Sequence, residues 1–129
     1  MFPKLSSRSV RLPVSLALLI LFGVAHWEGG ASSEGEEIFA SVVLPTLEAR
    51  CYECHAESAV RVKGGLLVDR AAGLLQGGDS GPAVVPNEPH ASLLIQAIQH
   101  QGLDQGLEMP PKGDPLDDET VKQFVRWIE

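Results

Sequence analysis

Apolar positions recur at helical spacing in several stretches of this 129-residue chain, and nowhere do they alternate long enough to predict a strand. Ile38, Phe39, Val42, Val43 and Leu47 form the first helical set of the body of the chain. Pro45 falls inside it and is expected to kink the helix or start a new one. The pattern therefore predicts two short helical pieces, the second covering residues 47–55. Residues 91–99 resume the period, with Leu94, Ile95 and Ile98 apolar and Ser92 as expected cap. The last segment is the clearest. Asp117 is a cap, Asp118 and Glu119 sit at the positive helix end, and Val121, Phe124, Val125 and Ile128 make one apolar stripe flanked by Trp127.

Between these stretches glycine punctuates the chain at Gly64-Gly65, Gly73, Gly77-Gly78 and Gly81-Pro82. This region predicts tight turns with one helical turn near residues 70–75. Residues 32–37 are polar and read as part of a linker, and residues 101–115 as a loop. The expected fold class is a small all-α domain with a Gly-rich middle loop. Aromatic residues are only 5% of the chain, so its own apolar core is thin.

The N-terminus has a separate logic. Lys4, Arg8 and Arg11 precede a charge-free apolar run over residues 12–25, about the length of a secretory signal and short for a spanning helix. Gly23 and Ala25 are small residues at the spacing a signal peptidase reads. Cleavage is expected after Ala25, with Ala31 as second choice and an uncleaved anchor as the alternative. The chain then divides into a signal (1–25), a linker (26–35) and one domain (36–129), exported to the periplasm or cell envelope. Membrane association is expected only if the signal stays. Cleavage removes three cations and no acid, so the net charge goes from −7 to −10. Such a surface excludes nucleic acid as a partner and favours a basic or neutral docking surface.

Cys51-Tyr52-Glu53-Cys54-His55 holds both cysteines of the chain, in the C-x-x-C-H spacing of covalent haem attachment. Residues three apart on a helical turn share a face, so both thiols can meet the vinyl groups of one porphyrin. His55 then offers an imidazole nitrogen to the iron. A zinc site would want a second ligand pair, which the chain lacks. A thioredoxin-like dithiol would want a βαβ setting. Export fits attachment, because thiols are joined to haem after the chain crosses the inner membrane.

A histidine-ligated iron leaves one axial position. Met1 and His26 lie in or beside the signal, leaving Met109, His90 and His100 as candidates. Met109 is followed by Pro110-Pro111, which stiffen the segment and suit it to present a thioether. The alternative for Met109 is a core filler. His100 reads as a helix end and His90 as a loop residue. Behind His55, a carbonyl is expected to accept from the second ring nitrogen. Gly81-Pro82 is the expected source, with the Pro82 carbonyl as acceptor.

The chain resembles the planctomycete-type cytochrome c domain. The likeness rests on Leu44-Pro45-Thr46-Leu47, the Cys51–His55 motif, Lys63-Gly64-Gly65-Leu66 with Val68-Asp69, and the run from Gly77 to Pro86. It continues through Ser92-Leu93-Leu94-Ile95, Met109-Pro110-Pro111 and residues 116–128. Asn87 stands where the family pattern has glycine, a tolerable exchange because asparagine also enters left-handed turns. The resemblance implies a cytochrome c-like helical domain wrapped around one covalent haem c, its iron held by His55 and Met109.

No acid–base pair is arranged for catalysis, so the expected activity is single-electron transfer by a monomer rather than enzymatic turnover. Its partner would be a redox protein or fused domains of a longer homologue, since proteins of this type continue into further domains. Two other classes stay open: a sensor or peroxidase-like site with an open distal position, and a haem-stabilised interaction module.

Overall fold

The structure is a computed structural model that describes residues 33–102 and 106–129. The signal, its cleavage sites, most of the linker, Met1 and His26 lie outside the described residues. Ser33 opens the first helix with a capping box. Its hydroxyl accepts from the Glu36 N–H at 3.3 Å, and the Glu36 carboxylate accepts from the Ser33 N–H at 3.0 Å. Helix α1 (Glu34–Ile38) therefore starts inside the polar stretch expected to be a linker.

Pro45 does not break this helix. Backbone angles stay right-handed helical through a π-helical turn (Phe39–Val43) into α2 (Leu44–Arg50). Leu44 donates to the Phe39 carbonyl five residues back, and Pro45, the next residue, has no N–H to give. The wider turn also realigns the apolar face. Ile38 and Val43 are five apart, a spacing a straight α-helix would place on different sides, yet both are buried with Leu47.

Downstream, α3 (Tyr52–His55) is followed by a 3₁₀ turn (Lys63–Gly65), α4 (Ala71–Gln76), a second 3₁₀ turn (Pro89–Ala91), α5 (Leu93–Gln99) and α6 (Asp118–Ile128). No strand occurs among the described residues; one bridge pairs Gly78 with Gly81. The domain is all-α. Asp117 caps α6 as expected, accepting from the Thr120 N–H at 2.9 Å. Ser92 stands at the N-cap of α5 but does not cap it. Its fully buried hydroxyl accepts from the Val85 N–H at 2.9 Å and donates to the Glu88 carbonyl at 3.0 Å, tying down the turn before the helix.

The core joins Ile38, Val43 and Leu47 to Val121, Phe124 and Ile128 of α6 and to Leu94, Ile95 and Ile98 of α5. Trp127 closes one end. Its ring lies 5.6 Å from that of Phe39 and 6.3 Å from that of Phe124, edge-on in the second case. Among the described residues, no helix is long and apolar enough to cross a membrane.

Candidate haem site

Helix α2 ends at Cys51, and a new turn begins on the same residue. The Cys51 N–H donates to Leu47 (2.9 Å), while the Cys51 carbonyl accepts from both Cys54 (3.1 Å) and His55 (2.9 Å). This places the attachment residues on their own short turn and not on the end of one helix running from Leu47. The turn is tied forward by the Val68 N–H, which donates to the His55 carbonyl at 2.8 Å.

Cys51, Cys54 and His55 line one cavity of about 330 Å³. Most of its wall is apolar, from Leu66, Val68, Ala83, Leu93, Leu94, Ala97, Ile98 and Leu107. Met109 lines the same cavity, its N–H bonded to the Ala97 carbonyl at 3.0 Å. The Met109–Pro110 peptide is cis. Neither His90 nor His100 is among the lining residues. The geometry thus brings together five of the residues singled out in the sequence, Cys51, Cys54, His55, Gly81 and Met109.

Both thiols are free and half-buried. Burial pushes the Cys51 thiol up to about 11, against a downward pull from the Arg50 charge. His55 is buried, and its Nδ1 has no hydrogen-bond partner. Burial lowers the pKa of the imidazole, and backbone groups of Leu66 and Lys63 pull it back up. Lys63 and Leu66 line the same cavity as the ring.

The Pro82 expectation is therefore corrected. Gly81 lines the cavity but Pro82 does not, and no bond from the ring reaches it. Gly81 and Pro82 are instead committed to a turn. Gly77 has φ +74°, and a Cβ there would meet the Gly81 carbonyl and lie 2.6 Å from Pro82 Cα. The sequence reading missed Lys63 and Leu66 as neighbours of the ring. The Lys63-Gly64-Gly65-Leu66 run was the available signal, because two glycines let backbone approach a buried side chain closely.

The residues present fit a haem. An apolar cavity of cofactor size opens onto two thiols, a buried imidazole with an unpartnered nitrogen, and a thioether. Fold and site together define a small helical haem-binding domain of the c type, in the class of electron-transfer modules. Residues 51–113, just under half the chain, match a family model described as planctomycete cytochrome C, and over that stretch the chain is similar to this family. The match spans the attachment turn through the Met109 loop and leaves α1, α2 and α6 outside it. No curated protein and no solved structure matches the chain.

Proposed function

We propose that the chain is an exported one-electron carrier with a single haem, joined through thioethers to Cys51 and Cys54 and ligated by His55 and Met109. The observation that carries this reading is the shared cavity. One imidazole and one thioether from segments 54 residues apart in sequence border the same apolar space as both cysteines. When bound, the iron porphyrin supplies Fe(III)/Fe(II) exchange.

The chain's part is to hold and insulate. The backbone of Lys63 and Leu66 beside the cavity opposes the loss of basicity that burial brings to His55. The Ala97 carbonyl anchors Met109. The apolar wall excludes water, and a thioether ligand favours the ferrous state over a second histidine. Electrons pass to a redox protein, or to further domains of a longer homologue, through the cavity mouth. The leader over residues 1–25 directs the chain out of the cytoplasm, where attachment is made.

The test is the secreted product made with haem-maturation machinery. Its intact mass should exceed that of the processed chain by one haem, with an N-terminus at residue 26. The ferric form should show the weak long-wavelength charge-transfer band of sulfur-ligated iron. A colourless product of bare polypeptide mass removes the proposal. A haem-loaded product that binds CO without unfolding assigns the open-site class instead.

A further inference from the structure

The cavity wall is apolar except for its termini of attachment and a short polar stretch, and that stretch has a chemical meaning. Its side chains are Arg50, Lys63, Asp79 and Ser80. Arg50 immediately precedes Cys51, whose thiol is one of the two that would hold the vinyl groups. A haem macrocycle carries its two propionate carboxylates on the edge away from those groups. Lys63, Asp79 and Ser80 remain for that edge.

We propose that the turns Lys63–Gly65 and 78–81 form the cradle for the haem propionates, with the Lys63 ammonium and the Ser80 hydroxyl holding the carboxylates. The inference rests on the haem-binding reading above and adds to it the groups that compensate the macrocycle's own charge. The two turns are built as one unit. The Asp79 N–H donates to the Gly64 carbonyl at 2.8 Å, and Gly78 and Gly81 exchange backbone bonds of 3.2 and 3.0 Å. Gly78 packs so closely that a Cβ would collide with the Gly64 carbonyl.

Within this unit the donors are left over. The Ser80 N–H makes no backbone bond among the described residues. Arg70, Lys122 and Arg126 each pair with a carboxylate, whereas neither cation that lines the cavity, Arg50 or Lys63, pairs with a carboxylate of the described residues, and of these two only Lys63 belongs to the paired turns. The nearby Asp79 carboxylate lies against Gly65, where a Cβ would stand 3.2 Å from its Oδ1. A strongly acidic chain that takes up two more carboxylates needs an uncommitted cation and hydrogen-bond donors beside them. Glycine-rich backbone also lets N–H groups approach an anion without side chains in the way.

The experiment uses haem-loaded protein carrying Lys63→Gln, Lys63→Arg or Ser80→Ala, with Lys122→Gln as control. Lys122 is exposed on α6 beside Glu119 and does not line the cavity. Loss of a cation beside the propionates leaves their charge on the iron less compensated and favours the ferric state. Lys63→Gln should move the redox equilibrium against a fixed one-electron couple about threefold toward ferric, the scale of an exposed ion pair. Lys63→Arg should restore it, and Lys122→Gln should leave it unchanged. The propionate bending band in resonance Raman spectra should shift in Lys63→Gln and Ser80→Ala, which a distant charge effect would not cause. Haem-loaded Lys63→Gln and Ser80→Ala with unmoved propionate bands overturn the cradle, whatever their potentials. Failure of the underlying reading is distinct, because the unsubstituted chain would then carry no haem.

Discussion

Met109 donates its backbone N–H to the carbonyl of Ala97 at 3.0 Å, and both residues line the cavity that holds the attachment motif. Ala97 lies inside α5, whose neighbours Ile95 and Ile98 are buried in the core. A long loop is thus fixed to a rigid element at the residue proposed to reach the iron. Ile98 repeats the device by accepting from the Leu116 N–H at 2.9 Å, so the loop is tied to α5 at two successive residues.

Replacing Met109 by alanine should therefore change the iron without unfolding the domain. The N–H to Ala97 is kept, while the sulfur is lost. The expected result is a lower reduction potential, loss of the charge-transfer band and CO binding to the ferrous form. Met109→His should close the site again at a potential below that of the parent. Spectra unchanged in Met109→Ala would remove this residue from the iron.

Gly77 carries a second prediction. It ends α4 with φ +74°, and the Gly81 carbonyl occupies the space a side chain would need. Gly77→Ala combines a left-handed backbone with a collision against backbone that cannot swing away. A loss of about 1–3 kcal/mol is expected from strain of this kind. Chemical denaturation of the haem-loaded variant measures it. Gly64→Ala is the comparison, because a Cβ there meets nothing within 4 Å, although φ is +60°. Its loss should be the smaller of the two.

Particular residues show how far the sequence could be read. C-x-x-C-H and the lone methionine of the main domain led to the cavity because their chemistry is local and their residue types are rare. The stripe at Val121, Phe124 and Ile128 was equally legible, since period and cap agreed. Pro45 announced a new helical piece, and α2 does begin beside it at Leu44, but a proline does not say how the chain absorbs the lost N–H. Here one wider turn did so and moved Ile38 into register with Val43. Ser33 and Glu36 carried a capping-box signal that the polarity of their stretch obscured. The surroundings of His55 were beyond sequence, because Pro82 and the Lys63–Leu66 run both offered backbone and only tertiary placement brought the second to the cavity that His55 lines.

The haem-free domain should be loosely packed. At about 24 cal/mol per Å³, a cavity of 330 Å³ corresponds to a ceiling of about 8 kcal/mol, water entry reducing the real figure. Whole domains of this size are stable by only about 5–15 kcal/mol. Of the largest fully buried side chains, Phe124, Leu47 and Val43 belong to the core and do not line the cavity, while Ile98 forms part of its wall. Cys51→Ala combined with Cys54→Ala should keep far-ultraviolet helical signal but lose near-ultraviolet signal and a cooperative melt. A sharp melt matching the haem-loaded protein would show that the core stands without its cofactor.

Acid should weaken the domain through two carboxylates whose bonds need the charged form. Asp117 accepts from the Thr120 N–H at 2.9 Å and from the Thr120 hydroxyl at 2.8 Å, and these bonds hold its pKa below the ordinary 3.8. Asp69 is lowered from the same value, first by the Glu57 N–H at 2.7 Å and then by Arg70. The sign follows from linkage: a carboxyl depressed on folding contributes fully above its unfolded value and loses that contribution as pH falls through the folded one. Melting temperature should therefore be flat near neutrality from these groups and drop below about pH 4. Asp117 is exposed and Asp69 only partly buried, so each effect is small and shrinks in high salt. Asp117→Asn keeps a side-chain oxygen for the cap but has no proton to take up. It should melt close to the parent at pH 7 and show a shallower acid decline, read by thermal melts of the haem-loaded proteins between pH 7 and pH 3. An identical acid decline in parent and variant would assign the weakening to other carboxylates.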